Sequence, residues 1–192
     1  MRVENVTIAN LEGAIRASKF PMAVDTNKCS TEITPTVKKL GQSPRGSAHD
    51  NYLNGIIAVF DLTFTNKAWV EFERYHFAEI VSSQSTMHKV VKIAETDCFN
   101  KYVTDNTRVE VRRLVDIYNK TQDKEDYLTL LYNIPSGIEL TAQIVTNYGQ
   151  LKTMYNQRHN HRLPEWKQFC EWIINLPYFK ELCFKSLDND IK

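Results

Sequence analysis

Cysteine is scarce and scattered in this 192-residue chain: Cys29, Cys98, Cys170 and Cys183 include no Cys-x-x-Cys pair. That spacing removes zinc-ribbon and dithiol redox chemistry and leaves reduced thiols as the expectation. Long apolar runs are missing too. Nothing approaches the roughly 18 consecutive apolar residues of a membrane span, and Met1-Arg2-Val3-Glu4-Asn5 lacks a signal core, so a soluble cytoplasmic protein is expected. Charge of one sign is absent, with 24 basic against 23 acidic residues and a net +1. No nucleic acid polymer is therefore expected as a partner, and an anionic ligand has to be held by a local cluster. Gly46-Ser47-Ala48-His49 lacks the Gly-Lys-Ser/Thr ending of a phosphate loop, and no Gly-x-Ser-x-Gly occurs. His159-Asn160-His161 has the wrong spacing for two ligands on one helical face, so no metal is expected.

What is present is enough apolar material for a core. With 42% hydrophobic and 24% charged residues, the chain reads as one domain over residues 1–192. Lys38 to Asn54, with Gly41, Pro44 and Gly46, is the one long stretch that reads as loop, and a loop of that length often builds a site. After it, Ile56, Ala58, Phe60, Leu62 and Phe64 alternate with other residues and predict a strand with one apolar face. Asn66 is placed to cap a helix carrying Trp69, Val70, Phe72 and Phe77, with Arg74 and His76 near its end. Two helical segments joined by a polar connector, Asn119 to Asp126, fill Asn100 to Asn133. Ile138, Ala142, Val145, Leu151 and Tyr155 predict a helix running to about Arg158, and Pro164-Glu165 suits the first turn of another, ended by Pro177. The reading is α+β, mainly helical, with a small antiparallel or mixed sheet fed also by Val3 to Ile8.

Chemistry-bearing residues gather in a few places. Arg74-Tyr75-His76 is a basic and aromatic triplet followed by the polar run Ser82-Ser83-Gln84-Ser85. On one helix, Asn147 and Arg158 would project from nearly the same face with a rise of about 16 Å, suiting two adjacent ligands or one elongated one. Arginine is the expected grip for a phosphate or a pyrimidine carbonyl. The bland reading puts Arg158 in a solvated basic helix end with His159, His161 and Arg162. His76 and His88 are chemically able to serve as acid or base; packed, hydrogen-bonded histidines are the alternative.

Several spacings together resemble the flavin-dependent thymidylate synthases, the ThyX family. That family's Arg-His-Arg triplet, followed after seven residues by Ser-x-Arg, is matched by Arg74-Tyr75-His76 and, with one extra residue between, by Ser85-Thr86-Met87. His49 stands twenty-five residues before Arg74, where the family has a flavin-contacting histidine. Ile134-Pro135, Asn147 and Arg158 reproduce a downstream spacing without a gap, and Ile15-Arg16-Ala17-Ser18 resembles the Arg-Ala-Ala-Arg region. The resemblance implies a flavin adenine dinucleotide (FAD) held by His49, Arg74, His76 and Asn147. It implies deoxyuridylate (dUMP) against Ser83, Gln84, Ser85 and Arg158, with Arg158 polarising ring carbonyls and Ser85 positioning the pyrimidine. A folate one-carbon donor and a homotetramer with shared sites are implied as well.

The departures from the pattern are as informative. His76 stands for the third arginine, Met87 for the arginine of Ser-x-Arg, Gly149 for the arginine two residues past Asn147, and Leu131 for a further nucleotide-binding arginine. Each charge-assisted phosphate contact contributes about 1.5–3 kcal/mol, so the family's polyanion grip is weakened unless His76, His88, Lys89, Arg45 or Arg162 compensates. Two alternatives stay open beside the flavin enzyme: the same fold without flavin catalysis, as a nucleotide-binding or protein-interaction module, and an enzyme acting on another nucleotide or a modified base.

Overall fold

The computed structural model describes residues 1–185. Its four strands, β1 (Arg2–Ala9), β2 (Ile57–Thr65), β3 (Glu79–Ser83) and β4 (Glu139–Asn147), form an antiparallel sheet in the order β1-β2-β4-β3. Helices α1 (Leu11–Ala17), α2 (Pro35–Gly41), α3 (Asn66–Phe72), α4 (Thr86–Glu95) and α5 (Asp105–Thr121) precede α6 (Lys124–Tyr132), α7 (Tyr148–Arg158), α8 (Pro164–Ile174) and α9 (Phe179–Cys183). The class is the expected mainly helical α+β.

Strand β2 is the spine of the core. Ile56, Ala58, Phe60, Leu62 and Phe64 are all fully buried, as their alternation predicts. Phe64 meets Trp69 and Phe72 of α3 and Trp166 and Phe169 of α8 at ring-centroid distances of 5.3 to 6.1 Å. Burying each such side chain contributes about 1.5–3 kcal/mol, so this aromatic stack fixes α3 and α8 on one face of the sheet. A second apolar cluster, built from Val90, Ile93, Val111, Leu114 and Leu130, binds α4, α5 and α6 to one another. No helix among the described residues is long and apolar enough to cross a membrane.

Five expectations are corrected. The helix expected from Ile138 is strand β4 as far as Asn147, and only then helix α7. The β-branched residues Thr141, Ile144, Val145 and Thr146 favour a pleated surface, and all nine β4 residues pair with β2. The loop from Lys38 is shorter than expected, because Pro35 at the first helical position and Thr34, accepting from the Val37 amide at 3.3 Å, start helix α2 upstream and it runs into the loop as far as Gly41. Thr65, not Asn66, caps α3, accepting from the Ala68 amide at 3.2 Å. That helix ends at Phe72, so Arg74 and His76 lie beyond it, and the polar connector shrinks to Gln122-Asp123, where Asp123 caps α6.

Candidate functional site

The candidate residues fall into three neighbourhoods. The first is the loop over residues 42–50, which carries His49 and is fastened from below by a buried ion cluster. Lys152 of α7, 5% exposed, donates to Gly41 O at 2.8 Å, Ser43 O at 2.6 Å and Asp50 Oδ2 at 3.2 Å. Arg45 donates to the same Asp50 oxygen at 3.1 Å and to Asn54 Oδ1 at 3.2 Å. Its guanidinium lies over Gly149, where a Cβ would come within 2.9 Å of Nη1 and collide with Asn54 Oδ1. An arginine at position 149 has no room here. Arg45, one of the candidates to compensate for its absence, brings a guanidinium to the same spot from another part of the chain.

Above this loop lies a cavity of about 1030 Å³, lined mainly by apolar groups, with Ser18, Lys28, His49 and Tyr52 among the polar ones. Ala17-Ser18 and His49, two separate pieces of the resemblance, thus meet at one cavity. Its volume is at the upper end for small-molecule sites, and its apolar wall with a few polar groups fits a planar ring carrying a polar chain, such as a flavin. Arg16 and Lys19 hold the wall in place: Arg16 donates to Thr26 O at 3.3 Å, and Lys19 Nζ donates to Ser30 O, Ser30 Oγ and Glu32 O.

The second neighbourhood joins the triplet to Arg158. Tyr75 is buried while Arg74 and His76 are exposed, so the middle residue points inward and its neighbours outward. The Tyr75 hydroxyl accepts from Arg158 Nε at 2.8 Å and donates to Gln157 Oε1 at 3.0 Å. Arg158 Nη1 donates to Glu71 Oε2 at 2.9 Å, and the guanidinium lies 4.9 Å from the Trp166 ring centroid and 5.6 Å from that of Tyr75. At 15% side-chain exposure, Arg158 is a packed and paired group, which overturns its reading as part of a solvated basic helix end. His161 Nδ1 accepts from the Leu163 amide at 3.2 Å, so Nε2 carries the proton shared with Glu71 Oε2 at 3.0 Å. A cavity of about 520 Å³, lined by Glu71, Asn156, His159, His161 and Arg162 among others, opens beside this cluster. Sequence reasoning missed Glu71 and His161; the four-residue interval from Glu71 to Tyr75 is the one available signal.

The third neighbourhood is the sheet edge. Ser83 ends β3, opposite Ala142. Gln84 extends the pairing with its side chain, its Oε1 accepting from the Thr141 amide at 2.9 Å while its own amide donates to Thr141 O. Ser85 precedes α4 as its cap residue without a side-chain capping bond. Asn147 is the N-cap of α7, its Oδ1 accepting from the Gln150 amide at 2.8 Å, and it is extended, not helical. Next to it, Thr146 Oγ1 donates to Phe77 O at 2.7 Å, which ties the end of β4 to the segment just past His76. The structure therefore joins Arg158 to Tyr75 of the triplet, while Asn147 caps the opposite end of α7, next in the chain to the residue that holds Phe77. The His49 cavity, by contrast, is lined by none of Arg74, Asn147 and Arg158.

No protein-family model and no curated protein sequence matches the chain. Solved structures do match in fold. A flavin-dependent thymidylate synthase ThyX from Helicobacter pylori, complexed with FAD and dUMP, superposes with a TM-score of 0.73 at 14% identity, covering 96% of this chain and 98% of that one. A second structure of the Helicobacter pylori enzyme with FAD and dUMP gives 0.76 at 14% identity over the same shares. The UMP/dUMP methylase PolB from Streptomyces cacaoi, bound with 5-Br dUMP, gives 0.61 at 13% identity, covering 93% of this chain and 92% of that one. The fold is that of the flavin-dependent thymidylate synthases.

Proposed function

We propose that the chain is a divergent ThyX-like enzyme that binds a deoxyuridine nucleotide (dUMP) together with FAD and adds a one-carbon unit, from a folate donor, at the pyrimidine C5. The observation that carries the reading is the agreement of a nearly full-length fold match with the packing of Arg158 against the triplet through Tyr75. When bound, FAD would supply hydride chemistry. The chain's own residues do the rest. The His49 cavity receives the flavin ring, with Lys28 and Ser18 on its wall. Arg74, His76 and Asn147 face the remainder of the cofactor. Arg158, held in a fixed orientation by Tyr75 and Trp166, polarises the ring carbonyls, and Ser83, Gln84 and Ser85 approach the nucleotide from the sheet edge, where Ser85 positions the pyrimidine.

Completing such a site from separate neighbourhoods calls for a second subunit, and a homotetramer is part of the proposal. Strand β3 supports it: it is an edge strand, exposed along its whole length, with Ile80 and Val81 at the surface. Light scattering on the purified protein checks this, a monomer being the adverse outcome. The central test is spectroscopic. Protein that is yellow as purified, or that quenches and shifts the absorption of added FAD, meets the expectation; saturating FAD with neither effect rejects flavin use. A second reading, nucleotide binding without flavin catalysis, is favoured by the commitment of Arg45 to Asp50 and of Arg158 to Glu71, which leaves fewer free cations for a dinucleotide. Colourless protein stabilised by a mononucleotide in a thermal shift selects it.

A further inference from the structure

Where the starts of α3, α5 and α8 converge, a separate cavity of about 360 Å³ opens, lined by Thr65, Lys67, Asn100, Ser136, Leu163 and Glu165 among others. None of the residues assigned above to FAD or dUMP lines it. Glu165, only 5% exposed, is the one buried charge on its wall. Its Oε1 accepts from the Thr65 hydroxyl at 2.9 Å and from Asn100 Nδ2 at 3.2 Å, while its Oε2 is buried and has no partner among the described residues. Two neutral donors on one oxygen do not balance a negative charge, and a buried carboxylate oxygen without a donor is costly. Lys67 lines the same cavity from the solvent side, and its ammonium has no partner among the described residues.

We infer that this cavity is a further binding site, for a small zwitterion of the α-amino acid class, whose ammonium group meets Glu165 Oε2 and whose carboxylate meets Lys67. The two unpartnered charges select against simpler ligands. A lone amine is repelled by Lys67, and a lone anion is repelled by Glu165. A divalent cation ordinarily recruits further carboxylate or imidazole ligands, and no three His, Cys, Asp or Glu side chains gather for one among the described residues. An ammonium carries three donors, and the Ser136 hydroxyl on the same wall is a second acceptor for it. Val103, Pro135 and Leu163 give the ligand's side chain an apolar wall. The volume is near the lower end of the roughly 300–1,000 Å³ of small-molecule sites, which suits one amino acid.

Isothermal titration of the full-length protein, free of flavin and nucleotide, against glycine, L-serine, L-leucine and L-phenylalanine tests the assignment. The tightest binder is then compared with its N-acetyl and its amide derivatives. Acetylation removes the ammonium and is expected to weaken binding at least about tenfold, and Glu165→Gln, which keeps an acceptor for Thr65 and Asn100, is expected to do the same with an unchanged circular dichroism spectrum. Lys67→Met is expected to weaken the free amino acid and to leave its amide unaffected. Binding of none of the four amino acids overturns the inference, as does equal affinity for the acetylated ligand or an unchanged affinity in Glu165→Gln. An amide that binds as tightly as the free acid overturns the part given to Lys67. If Glu165→Gln fails to fold, the free and acetylated ligands on the unmodified protein decide by themselves. The flavin and nucleotide tests above read different residues, so either proposal can fail without the other.

Discussion

Two charged clusters hang on helix α7, one around Lys152 near its middle and one around Arg158 at its last residue, and they are built differently. Around Lys152, all three ammonium donors are spent, Arg45 adds two bonds, and Asp50 is only 1% exposed. Around Arg158, the carboxylate is 22% exposed, one oxygen and one nitrogen stay free, and a cavity opens alongside. A closed network locks a loop in place, whereas an open one keeps hydrogen-bonding capacity for something outside the chain. Removing one partner from each separates the two. Asp50→Ala strands a buried ammonium and is expected to cost about 3–5 kcal/mol in denaturant unfolding. Glu71→Leu breaks a less deeply buried pair whose arginine keeps its bond to Tyr75, and is expected to cost about 1–3 kcal/mol. Equal costs would erase the distinction.

The closed cluster also explains a missing arginine. Gly149→Arg restores the residue type of the resembled family but drives a side chain into Arg45 and Asn54, and overpacking of this kind is expected to cost about 1–3 kcal/mol. Adding Arg45→Ala removes one of the two obstructions and releases Asn54 from its bond to Arg45, while leaving Lys152 on Asp50, so the double variant is expected to recover part of the loss. A thermal melt of the two variants checks it, and additive losses would show that Arg45 is not what excludes the larger residue.

The sequence was legible where one periodicity dominated. The β2 alternation, the paired helices α5 and α6, and the Pro164 start of α8 followed from local patterns alone. It misled where two periodicities overlapped. Ile138, Ala142 and Val145 satisfy a helical spacing, yet Ala142, Ile144 and Thr146 are the inward residues of a strand whose partner lies some eighty positions away, and no window on the chain contains that partner. For the site, Arg158 was legible as a residue type in a spacing, but its environment was not. Glu71 and Tyr75 reach it from one segment more than eighty positions away, and pairing between such distant side chains leaves no local trace around Arg158. Gln84 shows the same limit, since its amide serves the sheet edge through Thr141.

A smaller effect reads the α7 junction. Asn147 was expected on a helical face and instead caps α7, accepting from Gln150. Asn147→Ala is expected to cost about 1 kcal/mol through the lost cap, and Asn147→Asp, which keeps the acceptor and suits the helix dipole, is expected to cost less. If Asn147 also meets a cofactor, the aspartate variant keeps its stability and loses flavin binding, so fold and ligand roles separate in one pair of measurements.

At neutral pH the weakest signal comes from two thiols, one beside each cluster. Burial pushes Cys183 up to about 12 against a downward pull from Lys152, and burial pushes Cys170 up to about 12 against a downward pull from Arg158. Both stay protonated in the folded chain while an unfolded thiol ionises near about 8.5. Their contribution to stability is therefore complete below that value and is lost as pH rises from there toward 12, because the unfolded state releases protons the native state retains. Unfolding midpoints should be level from pH 6 to 8 and fall above about pH 9. Thiolate is the reactive form, so at pH 8 a chromogenic disulfide should label the half-buried Cys29 quickly and leave Cys170 and Cys183 untouched. Here the two clusters part again: Asp50→Ala should expose Cys183 to labelling by loosening the closed network, whereas Glu71→Leu should leave Cys170 as slow as before. Rapid labelling of Cys170 in the Glu71 variant would mean that the open cluster, too, holds the core together.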